Sequence, residues 1–154
     1  MMKQLYLLIL VLVICGSLSA KKIVRSHNIA KFSVTSLNIR KIAKNYFYKV
    51  KIKAKIKKGW YLYAAKQTRN DGPIATSINF DSKKLYAVKL RESRPQSKWD
   101  EAFSMNTRYF QNKAKFQLTG KSKYQLKKLN LKARFMVCNE NMCLPPSSIK
   151  LKAK

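Results

Sequence analysis

Between Tyr48 and Lys57 the chain alternates without a break. Tyr48, Val50, Ile52, Ala54 and Ile56 fall on one face, and Lys49, Lys51, Lys53, Lys55 and Lys57 on the other. A period of two places successive side chains on opposite sides of an extended backbone, so the run predicts a half-buried strand and excludes an amphipathic helix. Such a strand has an apolar face that something else must cover.

The pattern returns at Leu129, Leu131, Ala133, Phe135 and Val137, whose intervening residues Asn130, Lys132, Arg134 and Met136 are mostly polar. Shorter strands are predicted at 31–39, 60–64, 76–80, 85–90, 113–118 and 148–152. Turn signals separate them at Lys58-Gly59, Asp71-Gly72-Pro73, Thr119-Gly120 and Pro145-Pro146. With no helical stretch between the strands, each one-sided sheet needs another sheet over it. The expected fold class is therefore all-β, an immunoglobulin-like antiparallel β-sandwich, with a small barrel as the alternative.

The first 20 residues read as an export signal. Lys3 gives a positive start, Leu5 to Cys15 form an eleven-residue apolar run, and Gly16 to Ala20 are mostly small, with cleavage expected after Ser19 or Ala20. That run is shorter than the roughly 20 residues of an ordinary spanning helix. An uncleaved membrane anchor is the competing reading, since Lys21, Lys22 and Arg25 resist translocation. Removing 20 of the 154 residues leaves 134, enough for one domain at 21–154. Periplasmic or secreted localisation follows from this reading.

Charge is the most unusual feature of the composition. Against 34 Lys and Arg stand 6 Asp and Glu, a net charge of +28, or +27 once Lys3 has left with the signal. Alternating lysines keep a sheet soluble, but a magnitude of about 2 to 8 suffices for a small domain. Electrostatic attraction to acidic proteins or an anionic membrane is expected. Export argues against nucleic acid as a partner.

Signal removal also takes Cys15 away and leaves Cys138 and Cys143 as a pair, in a compartment where disulfides persist. Zinc would need four ligands, and the remaining chain offers two cysteines and the distant His27. No metal site is expected, and a Cys-His catalytic dyad would depend on that same His27. If the pair is bridged, Asn139, Glu140, Asn141 and Met142 must turn back, because five extended steps span roughly 16 Å and a disulfide requires about 5.5 Å. A loop of about six residues constrains the unfolded chain by on the order of 2 kcal/mol, against roughly 4.7 for a hundred-residue loop. Spacing alone leaves a structural staple and a redox pair both open.

Distant blocks bear on that choice. "VCNENMCLPP" followed by a final strand, "KGWYLYA" at Lys58 to Ala64, "DGPIATSINF" at Asp71 to Phe80 and "WDEAFSMNTRYFQNKAKF" at Trp99 to Phe116 occur in that order. Together they resemble the periplasmic N-terminal domain of the thiol:disulfide interchange protein DsbD, over roughly Phe32 to Lys154. The resemblance implies an immunoglobulin-like sandwich that relays electrons to oxidised periplasmic proteins without a cofactor. It implies Cys143 as the attacking cysteine and Cys138 as the resolving one. A cap segment would be Asp100-Glu101-Ala102-Phe103-Ser104, with Phe103 over the disulfide, Asp100 and Glu101 as nearby acids, and Tyr61 and Tyr63 bordering the site. The membrane and thioredoxin domains of full-length relatives are not matched, so the donor is expected to be a separate thioredoxin-like or membrane protein. The alternative is a non-catalytic basic sandwich with a structural disulfide that binds an anionic partner.

Overall fold

The computed structural model describes residues 25–154, so the predicted signal and the choice between cleavage and anchoring lie outside the described residues. A short helix, α1 (Ser26–Ile29), leads into β1 (Ala30–Ile42) and β2 (Asn45–Ile56). Next come β3 (Tyr61–Tyr63), β4 (Ser77–Phe80), β5 (Tyr86–Glu92), β6 (Gln96–Asp100) and β7 (Met105–Gln111). The chain ends with β8 (Lys113–Ser122), β9 (Leu129–Phe135), β10 (Val137–Cys138) and β11 (Ser147–Ala153).

These strands form three antiparallel sheets ordered β1-β2-β8-β5, β10-β3-β7-β6 and β11-β9-β4. The two smaller sheets are linked by a single chain run, because β9 passes through Met136 directly into β10. Together they cover the large sheet, and the fold is an immunoglobulin-like β-sandwich. Its core joins Tyr48, Val50 and Ile52 of β2 with Phe116 and Leu118 of β8, and these with Leu131 and Phe135 of β9 from the opposite layer. Phe32 bridges the layers, its ring 4.7 Å from that of Phe135 and 6.1 Å from that of Phe116. The alternation in β2 and β9 therefore marks the two walls of one core.

Tyr48 is buried at 1% exposure and still satisfies its hydroxyl. It donates to the Tyr124 carbonyl at 2.8 Å and accepts from the Leu126 amide at 2.7 Å. This pins the β8–β9 connection to the large sheet, since a buried polar group without partners is costly. The turn at Lys58-Gly59 also holds: Gly59 takes a φ of +81°, which glycine adopts without steric cost.

Thr119-Gly120 does not turn. Both lie inside β8, with Gly120 paired to Tyr48. Glycine is used there for space, because a Cβ would sit 2.8 Å from the Phe80 ring and 3.3 Å from Leu85. Gly120→Ala is expected to cost about 1–3 kcal/mol through overpacking, measurable as a lowered urea midpoint with an unchanged slope. Sequence alternation predicts neither β6 nor β7. β3 and β7 are covered on both faces, Leu62 and Phe110 entering the main core while Tyr61, Tyr63 and Tyr109 pack in a second cluster behind it, whereas β6 is a mostly exposed edge strand, so no simple alternation marks β6 or β7.

Candidate functional site

The cysteine segment folds back as a small hairpin. Cys138 and Cys143 face each other as an antiparallel bridge and are joined by a disulfide, with Cα atoms 4.0 Å apart. Two backbone hydrogen bonds flank them, from the Asn139 amide to the Met142 carbonyl and from the Leu144 amide to the Val137 carbonyl, each 2.9 Å. Such flanking marks the narrow, non-hydrogen-bonded position of an antiparallel ladder, where facing side chains come closest.

Asn139 makes the turn, though not by entering the left-handed region, which neither it nor Asn141 occupies. Its side-chain oxygen accepts from the Asn141 amide at 2.9 Å and the Met142 amide at 2.8 Å. This local side-chain turn substitutes for a backbone one.

The two cysteines differ sharply in access. Cys138 is 0% exposed, paired in register with Tyr61 of β3, while Cys143 stands exposed at the rim beside Met142, itself 56% exposed. Leu144 then returns to the core and the Pro145 carbonyl accepts from the Ser26 hydroxyl at 2.6 Å, which fastens the hairpin base to α1. The arrangement leaves Cys143 at the surface and encloses Cys138.

Behind Cys138 lies the second aromatic cluster. Tyr61, Tyr63, Met136 and Cys138 form it, with Ile74, Phe103 and Tyr109 packed against it. Tyr61 meets Tyr63 edge-on at 5.5 Å and Tyr109 at 5.4 Å. Phe103 meets Tyr63 edge-on at 6.0 Å. Phe103 comes from the four-residue connection between β6 and β7, where Asp100 pairs with Met105 and Ser104 takes a φ of +48°. The sequence-predicted Tyr61, Tyr63 and Phe103 are thus brought into one cluster with Cys138.

Asp100 and Glu101 part company. Asp100 is buried, 5% exposed, and its Oδ2 accepts from the Tyr63 hydroxyl at 2.6 Å and the Thr107 hydroxyl at 3.4 Å. Burial raises the Tyr63 pKa well above its ordinary value, and its hydrogen bond to Asp100 raises it further. Glu101 is exposed at the loop tip and contributes its carbonyl, which accepts from the Ser104 amide.

Lys98 was not singled out from the sequence, where it is one of many lysines. Its ammonium sits 4.0 Å from the Tyr61 ring centre and 5.5 Å from that of Tyr109, and pairs with Glu140 of the cysteine hairpin at 3.4 Å. Partial burial lowers its pKa, but Tyr61 and Glu140 outweigh this and leave it raised. Lys98 therefore ties β6 to the loop between the cysteines and puts a positive charge beside that loop. Only the fold could reveal it.

A cysteine hairpin with one buried and one open end, set at the edge of an immunoglobulin-like sandwich, defines the class: a β-sandwich domain carrying an accessible local disulfide. The family described as thiol:disulfide interchange protein DsbD, N-terminal, matches residues 33–153, and the chain belongs to that family. No curated protein sequence matches it. Among solved structures, the N-terminal periplasmic domain of ScsB from Proteus mirabilis is similar, with a TM-score of 0.58 and 15% identity over 76% of this chain. The match spans 44% of the ScsB chain. The reduced N-terminal domain of DsbD from Neisseria meningitidis has a TM-score of 0.57 and 18% identity, covering 88% of this chain and 93% of that one. At such identities the structural likeness speaks for the fold. Among the described residues no helix is long and apolar enough to cross a membrane.

Proposed function

We propose that this chain is an exported thiol-disulfide exchange module, residues 21–154 forming the working domain in the periplasm. Cys143 attacks and Cys138 resolves. The carrying observation is the asymmetry of the pair, with Cys143 exposed and Cys138 fully buried in one hairpin.

In the reduced domain, the Cys143 thiolate attacks a disulfide of an oxidised periplasmic protein. One sulfur of that protein joins Cys143 in a mixed disulfide and the other leaves as a thiolate. Cys138 then attacks the Cys143 sulfur, re-forming the 138–143 bond and releasing the partner with two thiols. Two electrons have moved to the acceptor. A separate thioredoxin-like or membrane-embedded dithiol reverses these steps to reload the domain, its first thiolate attacking Cys143. No cofactor enters the balance.

Phe103 acts as the cap, and Tyr61 and Tyr63 as the wall behind the buried sulfur. Asp100 fixes Tyr63 and the base of the cap loop, while Glu101 lies where an incoming partner first meets that loop. Lys98 and Glu140 set opposite charges beside the loop between the cysteines, 3.4 Å apart.

A glutathione titration tests this reading. The purified chain should show a reduction potential above about −300 mV, because bridges below that range resist reduction by the glutathione pool. Phe103→Ala should leave the potential near that of the parent and speed reduction by a small thiol. A potential well below that range would identify a structural staple and end the proposal.

A further inference from the structure

The charged side chains on the outer face of the large sheet are positive, set among neutral residues such as Ser36, Asn38, Gln117 and Thr119. On β2, Lys49, Lys51, Lys53 and Lys55 point outward, away from the buried Val50, Ile52 and Ala54. Across the ladder to β8, Lys53 stands opposite Lys115 and Lys55 opposite Lys113. On the other side, Lys55 also stands opposite Lys31 of β1. Lys89 and Arg91 of β5 continue the array, in register with Thr119 and Gln117 of β8.

No acidic residue interrupts β1, β2 or β8. The single one on β5, Glu92, has a side chain only 8% exposed and accepts from the Ala65 amide at 2.6 Å. Like charges directly opposite destabilise a sheet. A face built from such pairs is best satisfied by external negative charge.

One end of this face is apolar. Ile42 is 47% exposed and Tyr86 43%, and Phe47 lies between Arg40 and Lys121 in the register. The Lys121 ammonium lies 4.9 Å from the Phe47 ring centre, and Tyr86 donates to Asn45 at 2.7 Å, drawing the β5 end to the tip of the β1–β2 hairpin. Exposed aliphatic and aromatic side chains set among cations match the boundary of a lipid bilayer, where headgroups pair with Lys and Arg and the apolar groups enter the acyl edge. Nucleobases would stack on the rings and leave Ile42 in water. An acidic protein would answer the cations but gives no reason for the exposed apolar side chains at their end.

We infer that the β1-β2-β8-β5 face docks on an anionic lipid bilayer, with Ile42, Phe47 and Tyr86 at the interface. This stands apart from the exchange reaction, since it uses neither cysteine.

The test is sedimentation of the full chain with vesicles of phosphatidylglycerol and phosphatidylcholine, against phosphatidylcholine alone. The difference between the two isolates the charge-dependent part, and any contribution of Leu5 to Cys15 is common to all variants. Lys49, Lys51, Lys53 and Lys115 changed together to Gln should weaken anionic binding by more than about 100-fold, at roughly a kilocalorie for each charge near the surface. The same four-charge loss at Lys127, Lys128, Lys150 and Lys152 should weaken it far less. Ile42→Ser with Tyr86→Ser should remove the binding that survives high salt. Thermal unfolding monitors the fold, and the β2–β8 variant should be at least as stable as the parent because the opposed Lys53–Lys115 pair is gone.

Equal losses in both charge variants would assign the effect to net charge and overturn the proposal. So would equal binding to zwitterionic vesicles. Displacement by a single-stranded oligonucleotide or polyglutamate, with the Ile42 and Tyr86 variant unaffected, would replace the lipid with a soluble polyanion.

Discussion

Cys138→Ser should accumulate a mixed disulfide through Cys143, and Cys143→Ser should trap nothing above background. The basis is exposure: Cys143 meets solvent, whereas Cys138 is 0% exposed behind Tyr61. With Cys138 changed, the first exchange proceeds and no internal thiolate follows to resolve it. With Cys143 changed, the remaining sulfur is enclosed, and trapping should fall by at least on the order of 100-fold because exchange requires access along the S–S axis. Serine in the buried position adds an unpaired hydroxyl, so Cys138→Ala provides a second variant that should trap equally well. Non-reducing electrophoresis and mass spectrometry of the captured species read the outcome. Equal trapping by both single variants would refute the assignment of roles.

The second large effect concerns Tyr63 and Asp100. Tyr63→Phe deletes the 2.6 Å hydrogen bond and leaves a 5%-exposed carboxylate with the longer contact to Thr107. Loss of one partner from a buried polar pair costs about 1–3 kcal/mol.

The same change should alter the response to alkali. Burial and the bond to Asp100 hold the Tyr63 phenol neutral in the fold, while in the unfolded chain it ionises near its ordinary value of about 10. A raised folded pKa means that the contribution is complete below about pH 10 and is lost as the pH rises further. Above that point the unfolded state sheds a proton that the folded state keeps, so Tyr63 alone lowers stability by about 1.4 kcal/mol per pH unit. Tyr63→Phe lacks this slope. Urea unfolding at pH 9 and pH 11 should show the gap between parent and variant narrowing with alkali, and a constant gap would show that the Tyr63 proton is not linked to folding.

What the sequence revealed followed burial on one side. In β2 and β9, with one face in the core and one in water, polarity alternates and the strands are read directly from their residues. β6 and β7 defeat that reading, because Thr107 and Asp100 are buried polar residues while Trp99 is 59% exposed. Gly120 looked like a turn because glycine usually marks one, yet here it makes room for Phe80.

The site was legible wherever chemistry is carried by residue type. Two cysteines and the tyrosines of β3 stood out, and the fold gathers both tyrosines with Cys138 and Phe103. The acids did not sort themselves: neighbours in sequence, Asp100 is enclosed and Glu101 faces water. Lys98 was hidden by abundance, since its contacts are with Tyr109 across the β6–β7 pairing and with Tyr61 and Glu140, which are distant from it in the chain.

The hairpin around the cysteines owes little of its shape to sulfur. Asn139 receives two amides on its side chain, and two backbone bonds close the ladder on either side of the bridge. Reducing a loop of about six residues also releases on the order of only 2 kcal/mol of constraint. If the domain relays electrons as proposed, its reduced and oxidised forms should present nearly the same outline to a partner. Donor and acceptor would then compete for one landing place, and the direction of traffic would follow from their potentials and abundance, not from a change of shape in the domain between them.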